Sequence, residues 1–110
     1  MDSVGRSKES LTVSWADGAT DSTALNLKHG CFGTLLVPSG LNGKTLQVRS
    51  SETAYNSATY NLLTTAKTLA TGKNAFSADE IREIGAASGV VFVLSSAVSG
   101  AQTARLLWSS

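Results

Sequence analysis

Apolar and polar positions alternate along several short stretches of this chain, and the clearest runs from Ser10 to Trp15. Leu11, Val13 and Trp15 fall on one side, and Ser10, Thr12 and Ser14 on the other. A period of two places successive side chains on opposite faces of an extended strand, so this stretch predicts a half-buried strand with a solvent side. Asp17-Gly18 ends it with a turn signal. Ala24 to Lys28 predicts a second short strand, and Thr34 to Val37 a third that is apolar on both sides and stopped by Pro38, which has no amide to donate. After the turn-forming Asn42-Gly43, Thr45 to Arg49 alternates again with Leu46 and Val48 inward.

The middle of the chain is less patterned. Ser50 to Thr59 reads as a loop with Tyr55 turned toward the core, Tyr60 to Leu63 and Lys67 to Ala70 as strands, and Gly72-Lys73-Asn74 as a turn. Ser77-Ala78-Asp79-Glu80 has the spacing of a capping box: Ser77 accepts from the amide three residues on, and Glu80 reaches back to the amide of Ser77. About two turns of helix follow, with Ile81 and Ile84 on one side and Gly85 closing it. Val90 to Leu94 is an apolar run of strand length, so both its faces should be covered. The chain returns through Ala104, Leu106 and Trp108, with Thr103 and Arg105 on the alternate face, and the two runs together read as a β-hairpin.

About seven or eight short strands, one short helix and turn signals every ~8 to 12 residues predict an all-β, jelly-roll-like β-sandwich. At 110 residues the chain makes one domain, drawn here as residues 9–110 preceded by a flexible polar arm, residues 1–8. About a quarter of the residues are Ser or Thr, which favours strands and turns over long helices. Charged residues are only 15% of the chain, against about 25% in an average domain, and the net charge is +1. That balance lacks the basic stripe of a nucleic-acid-binding protein and leaves a neutral, easily desolvated surface. Met1 to Arg6 lacks the apolar core of a signal peptide, and no apolar window reaches the ~20 residues of a membrane-spanning helix.

Candidate chemistry is sparse. His29 is the only histidine; Asp17, Asp21 and Ser22 lie near it in sequence, but no Gly-x-Ser-x-Gly elbow exposes a nucleophile. Cys31 is the only cysteine and reads as a small buried hydrophobe. Asp79, Glu80 and Glu83 form the one carboxylate cluster, which helix capping and a solvated face explain. Gly40 to Thr45 ends like a phosphate-binding loop, but its glycines are too close together and no long helix follows. Trp15, Tyr55, Tyr60 and Trp108 are the aromatics available to a stacking platform, though core filling is the expected job of both tryptophans. The reading is therefore of a protein that is not an enzyme and takes neither metal nor cofactor.

Three segments in order, Asp21-Ser22-Thr23-Ala24-Leu25-Asn26-Leu27 with a glycine after it, Gly33-Thr34-Leu35-Leu36-Val37-Pro38, and Thr45-Leu46-Gln47-Val48-Arg49-Ser50-Ser51, together with a closing strand that sets Arg105 in an apolar frame, resemble small virion proteins of tailed bacteriophages. The chain is similar to jelly-roll capsid decoration, or cementing, proteins. That resemblance implies a homo-oligomer, dimer or trimer, bound to the major capsid protein on the outside of the head, made in the host cytoplasm and carried on the virion. It also implies capsid contacts through Val4, Arg6 and Lys8 of the arm and through Asp79, Glu80 and Arg82 of the helix. The alternatives are another virion part (neck, tail or fibre) and a carbohydrate- or oligonucleotide-binding β-module.

Overall fold

The structure is a computed structural model that describes residues 8–27, 33–85, 87 and 89–109, with backbone alone at residues 8, 9, 108 and 109. Eight strands are described: β1 (Lys8–Trp15), β2 (Leu25–Asn26), β3 (Thr34–Val37), β4 (Thr45–Ser50), β5 (Lys67–Thr68), β6 (Gly72–Ala75), β7 (Gly89–Leu94) and β8 (Gln102–Ser109). One helix, α1 (Ala78–Gly85), lies between β6 and β7. The strands make two four-stranded antiparallel sheets, ordered β1-β8-β3-β6 and β2-β7-β4-β5.

That order has a simple origin. Folded as one long ribbon, the chain pairs β1 with β8, β2 with β7, β3 with β6 and β4 with β5, and all four pairings are present. Wrapping the ribbon sends alternate pairs to alternate sheets, and β3·β8 and β4·β7 then join the pairs within each sheet. This is the jelly roll, a sandwich built from two Greek keys. The core lies between the sheets: Val13, Trp15, Leu35, Leu46, Val48, Phe92 and Leu106 are at most 1% exposed. Trp15 also ties one sheet to the other, its indole Nε1 donating to the carbonyl of Phe92 at 3.2 Å.

Several sequence expectations hold in detail. Val13 and Trp15 are buried while Ser10 and Thr12 face solvent, as the period of two predicts. Val90 to Leu94 is buried on both faces. The capping box forms as drawn, with the Glu80 amide donating to Ser77 Oγ at 3.1 Å and the Ser77 amide to Glu80 Oε1 at 2.7 Å. Gly18 and Gly43 adopt φ of 82° and 85°, the left-handed backbone their turns require.

Others are corrected. β7 and β8 are not a hairpin; they are central strands of different sheets, and residues 95–101 cross from one sheet to the other. A two-residue hairpin loop keeps strands in one sheet, whereas this longer connection spans the roughly 10 Å between packed sheets. Tyr60 is not in a strand: two short 3-10 turns, Thr53–Tyr55 and Ala58–Tyr60, occupy that region, and Tyr55 is about half exposed rather than in the core. Gly72-Lys73-Asn74 belongs to β6 instead of a turn. Asn74 is buried there because its side chain closes the preceding turn, Oδ1 accepting from the Ala70 amide at 2.9 Å and Nδ2 donating to the Ala70 carbonyl at 2.8 Å. Lys8, placed in the arm by the sequence, opens β1 opposite Ser109.

Candidate interaction surface

The wrapping sorts the loops into two groups. The β1–β2, β3–β4, β5–β6 and β7–β8 connections meet at one end of the sandwich. There Gly18 donates to the Val98 carbonyl, Asp17 Oδ1 accepts from the Gly100 amide, and Lys44 Nζ donates to Ser96 Oγ at 2.7 Å. Lys44, the lysine of the phosphate-loop-like stretch, is thus a tie between loops. α1 and the β4–β5 connection meet at the opposite end.

The capsid contacts expected on the helix have the following surroundings. Asp79 and Arg82 form an ion pair with each other on the exposed side of α1. Glu80 pairs with Lys67 Nζ at 3.1 Å, and Lys67 also stands 5.3 Å from the centre of the Phe76 ring. Burial, the largest influence on Glu80, raises its carboxyl; the hydrogen bond from the Ser77 amide and the charge and hydrogen bond of Lys67 together outweigh it, so the group sits below its ordinary value. Glu83 accepts from the amide and hydroxyl of Thr64. Each of the three carboxylates therefore serves its own partner, and among the described residues no group of three His, Cys, Asp or Glu converges on one point. Val4, Arg6, His29 and Cys31 lie outside the described residues, as do the side chains of Lys8 and Trp108. Of the expected contacts, the structure brings Asp79, Glu80 and Arg82 together on α1 and leaves the arm residues undescribed.

A second surface was not anticipated. Pairing across the β1-β8-β3-β6 sheet aligns Thr12, Arg105, Leu36 and Lys73 in one row and Ser10, Leu107, Thr34 and Ala75 in the next. These rows lie on the face turned away from the core, because their neighbours Val13, Leu35, Ala104 and Leu106 fill the interior. Leu36 is 38% exposed, the one large aliphatic side chain so open among the described residues. Thr12, Leu36, Pro38, Thr103, Ala104 and Arg105 line a shallow depression of about 240 Å³. Arg105 is steadied over it by donating from Nη1 to Thr12 Oγ1 at 2.7 Å. The two rows carry two cations, Arg105 and Lys73, and no acidic side chain. The sequence held part of this signal, since Thr103 and Arg105 already alternated with buried residues; which strands flank β8 was set by long-range pairing alone.

The aromatics also sort. Trp15 is 1% exposed and offers no stacking face. Tyr55 and Tyr60 are 49% and 48% exposed and meet edge to face, their ring centres 5.3 Å apart, at the end that carries α1. A repeated Tyr-Asn five residues apart, at Tyr55-Asn56 and Tyr60-Asn61, is the sequence trace of this pair. Compared with known protein families, with curated proteins and with solved structures, the chain matches none.

Proposed function

We propose that the chain is a structural virion protein, a capsid decoration or cementing subunit that binds the outside of a phage head and stabilises the shell by contacts with the major capsid protein and with copies of itself. The observation that carries this reading is the outer face of the β1-β8-β3-β6 sheet, a broad and shallow surface of Ser, Thr, one open leucine and two cations. Such a face suits addition onto another protein, where shape and backbone groups supply the contacts. The jelly-roll strand order agrees with the resemblance in the sequence.

Size decides how such binding would work. Four strands about 4.8 Å apart and at most eight residues long present on the order of 500 Å². A standard interface takes about 800 Å² from each partner. One face therefore holds weakly, and lasting attachment needs the α1 end as well, or several subunits bound together. Arg105→Glu reverses the charge at the middle of the face without touching the core. Mixed with expanded phage heads and sedimented, the natural protein should pellet with them and the variant should remain largely in solution. Equal occupancy of heads by both, or no binding by either, would reject the proposal.

One observation favours a second reading, a carbohydrate- or oligonucleotide-binding β-module: the exposed Tyr55–Tyr60 pair. Saturable quenching of tyrosine emission by an oligosaccharide or a short single strand, lost in Tyr60→Ala, would support it over the first.

A further inference from the structure

We infer that β1 is a self-association edge, along which a second copy of this chain adds its own β1 antiparallel about a two-fold axis to make one continuous eight-stranded sheet. The four sheet edges differ sharply. β2 and β5 are two residues each, and β6 is four residues with Lys73 exposed on it. Short edges and edge lysines are the usual ways of keeping a sheet from pairing with another. β1 is less protected: its one lysine, Lys8, stands at its first position, beside Glu9. It runs for eight residues, pairs with β8 along its whole length, and contains no charge and no proline from Ser10 to Trp15.

The direction of its backbone groups can be read from one bond. Ser14 lies opposite Thr103 of β8, yet its carbonyl accepts from the Thr23 amide at 2.9 Å, on the side away from β8. Antiparallel ladders alternate, so the amides and carbonyls of Ser10 and Thr12 point to that same open side. Among the described residues no strand lies beyond them. Thr23 closes the edge at Ser14, and among the described residues no backbone group pairs with the open side of Ser10 to Thr12.

A second copy fits this stretch for a geometric reason. Two identical strands paired about a two-fold set like-facing residues against each other, here Ser10 against Ser10 or Thr12 of the other copy, and small hydroxyl residues make favourable cross-strand pairs. No like charges are opposed between residues 10 and 12. The dimer would also set two copies of the Arg105 face side by side, doubling the area that a single face lacks. The inference deepens the self-association part of the reading above, and it does not need the capsid partner.

The test uses the purified full-length chain. Sedimentation velocity over a dilution series should show a monomer–dimer equilibrium. Residue-resolved amide exchange should find the Ser10 and Thr12 amides slowed on the order of 100-fold in the dimer relative to the dilute monomer. Ser10→Pro removes an amide on the open side without taking a bond from β8, and should abolish the dimer while thermal unfolding of the monomer changes little. If that variant fails to fold, Ser10→Lys places a charge at the same point and decides the question. A monomer at every concentration, a trimer, a dimer that survives both substitutions, or a dimer whose Ser10 and Thr12 amides exchange freely would overturn the inference. Dimerisation with no binding to heads would sink the capsid proposal and leave this one standing.

Discussion

β7 and β8 are both central strands, yet they treat solvent in opposite ways. Every residue of β7 from Val90 to Leu94 is buried, whereas along β8 Ala104 and Leu106 are buried and Thr103 and Arg105 are open. Val91 and Val93 lie on the side of their sheet away from the core cluster and are still only 6% and 8% exposed. The polypeptide beside them is held close: Ser22 donates its amide to the Phe92 carbonyl at 2.9 Å, and its hydroxyl accepts from the Phe92 amide at 3.0 Å. Gln47 and Arg49, opposite Val93 and Val91, fasten to Leu63 and Asn61. The lesson is a division of labour. The β2-β7-β4-β5 sheet is committed to holding the sandwich together, and among the described residues the β1-β8-β3-β6 sheet keeps a face and an edge uncovered.

Substitutions sharpen that contrast, and the largest effect belongs to β7. Phe92→Ala empties a fully buried site between the sheets and should lower unfolding free energy by about 3–5 kcal/mol, read as a drop in the urea midpoint at nearly unchanged slope. Ser22→Ala strips the Phe92 amide of its acceptor in a buried setting and should cost about 1–3 kcal/mol by the same measurement. Ser77→Ala removes the helix cap at the α1 end, for about 1 kcal/mol.

Glu80 adds a pH signature to that end. Its carboxyl is held below the ordinary value, so the folded state favours the charged form. The associated stability is fully present above the ordinary carboxylate range and is lost as pH falls through the lowered value. Glu80→Gln should therefore be less stable than the natural protein at neutral pH, with the gap closing in acid. A gap that persists unchanged at low pH would contradict the ion pair and cap as its source. The smallest effects belong to the open face: Leu36→Ser, at a side chain 38% exposed, should cost about 1 kcal/mol, and Thr103→Ala no more than about 0.5 kcal/mol. A large loss at either position would break the comparison on which this account rests.

Much of this fold was legible in local pattern. Alternation found β1, β4 and β8, an apolar run found β7, and the capping box placed the start of α1, because each depends on neighbours a few residues away. The errors lie where distant partners decide. A hairpin and a crossing between sheets look alike from Val90 to Trp108 until β1, β3, β2 and β4 are in place beside them. Asn74 reads as a turn residue because asparagine usually satisfies itself in turns, and here it does so from within a strand. Of the candidate surfaces, the helix residues were visible as a charged cluster. The sheet face was not, since Leu36 looked like core and was turned outward by its register with Arg105 and Lys73.

Residue-resolved amide hydrogen exchange on the dilute monomer tests the division between the two sheets most directly. Amides of Val91 to Leu94 should exchange only through global unfolding, while those of Ser10 and Thr12 exchange at nearly unprotected rates. Rapid exchange along Val91 to Leu94, or strong protection at Ser10 and Thr12 in the monomer, would contradict it.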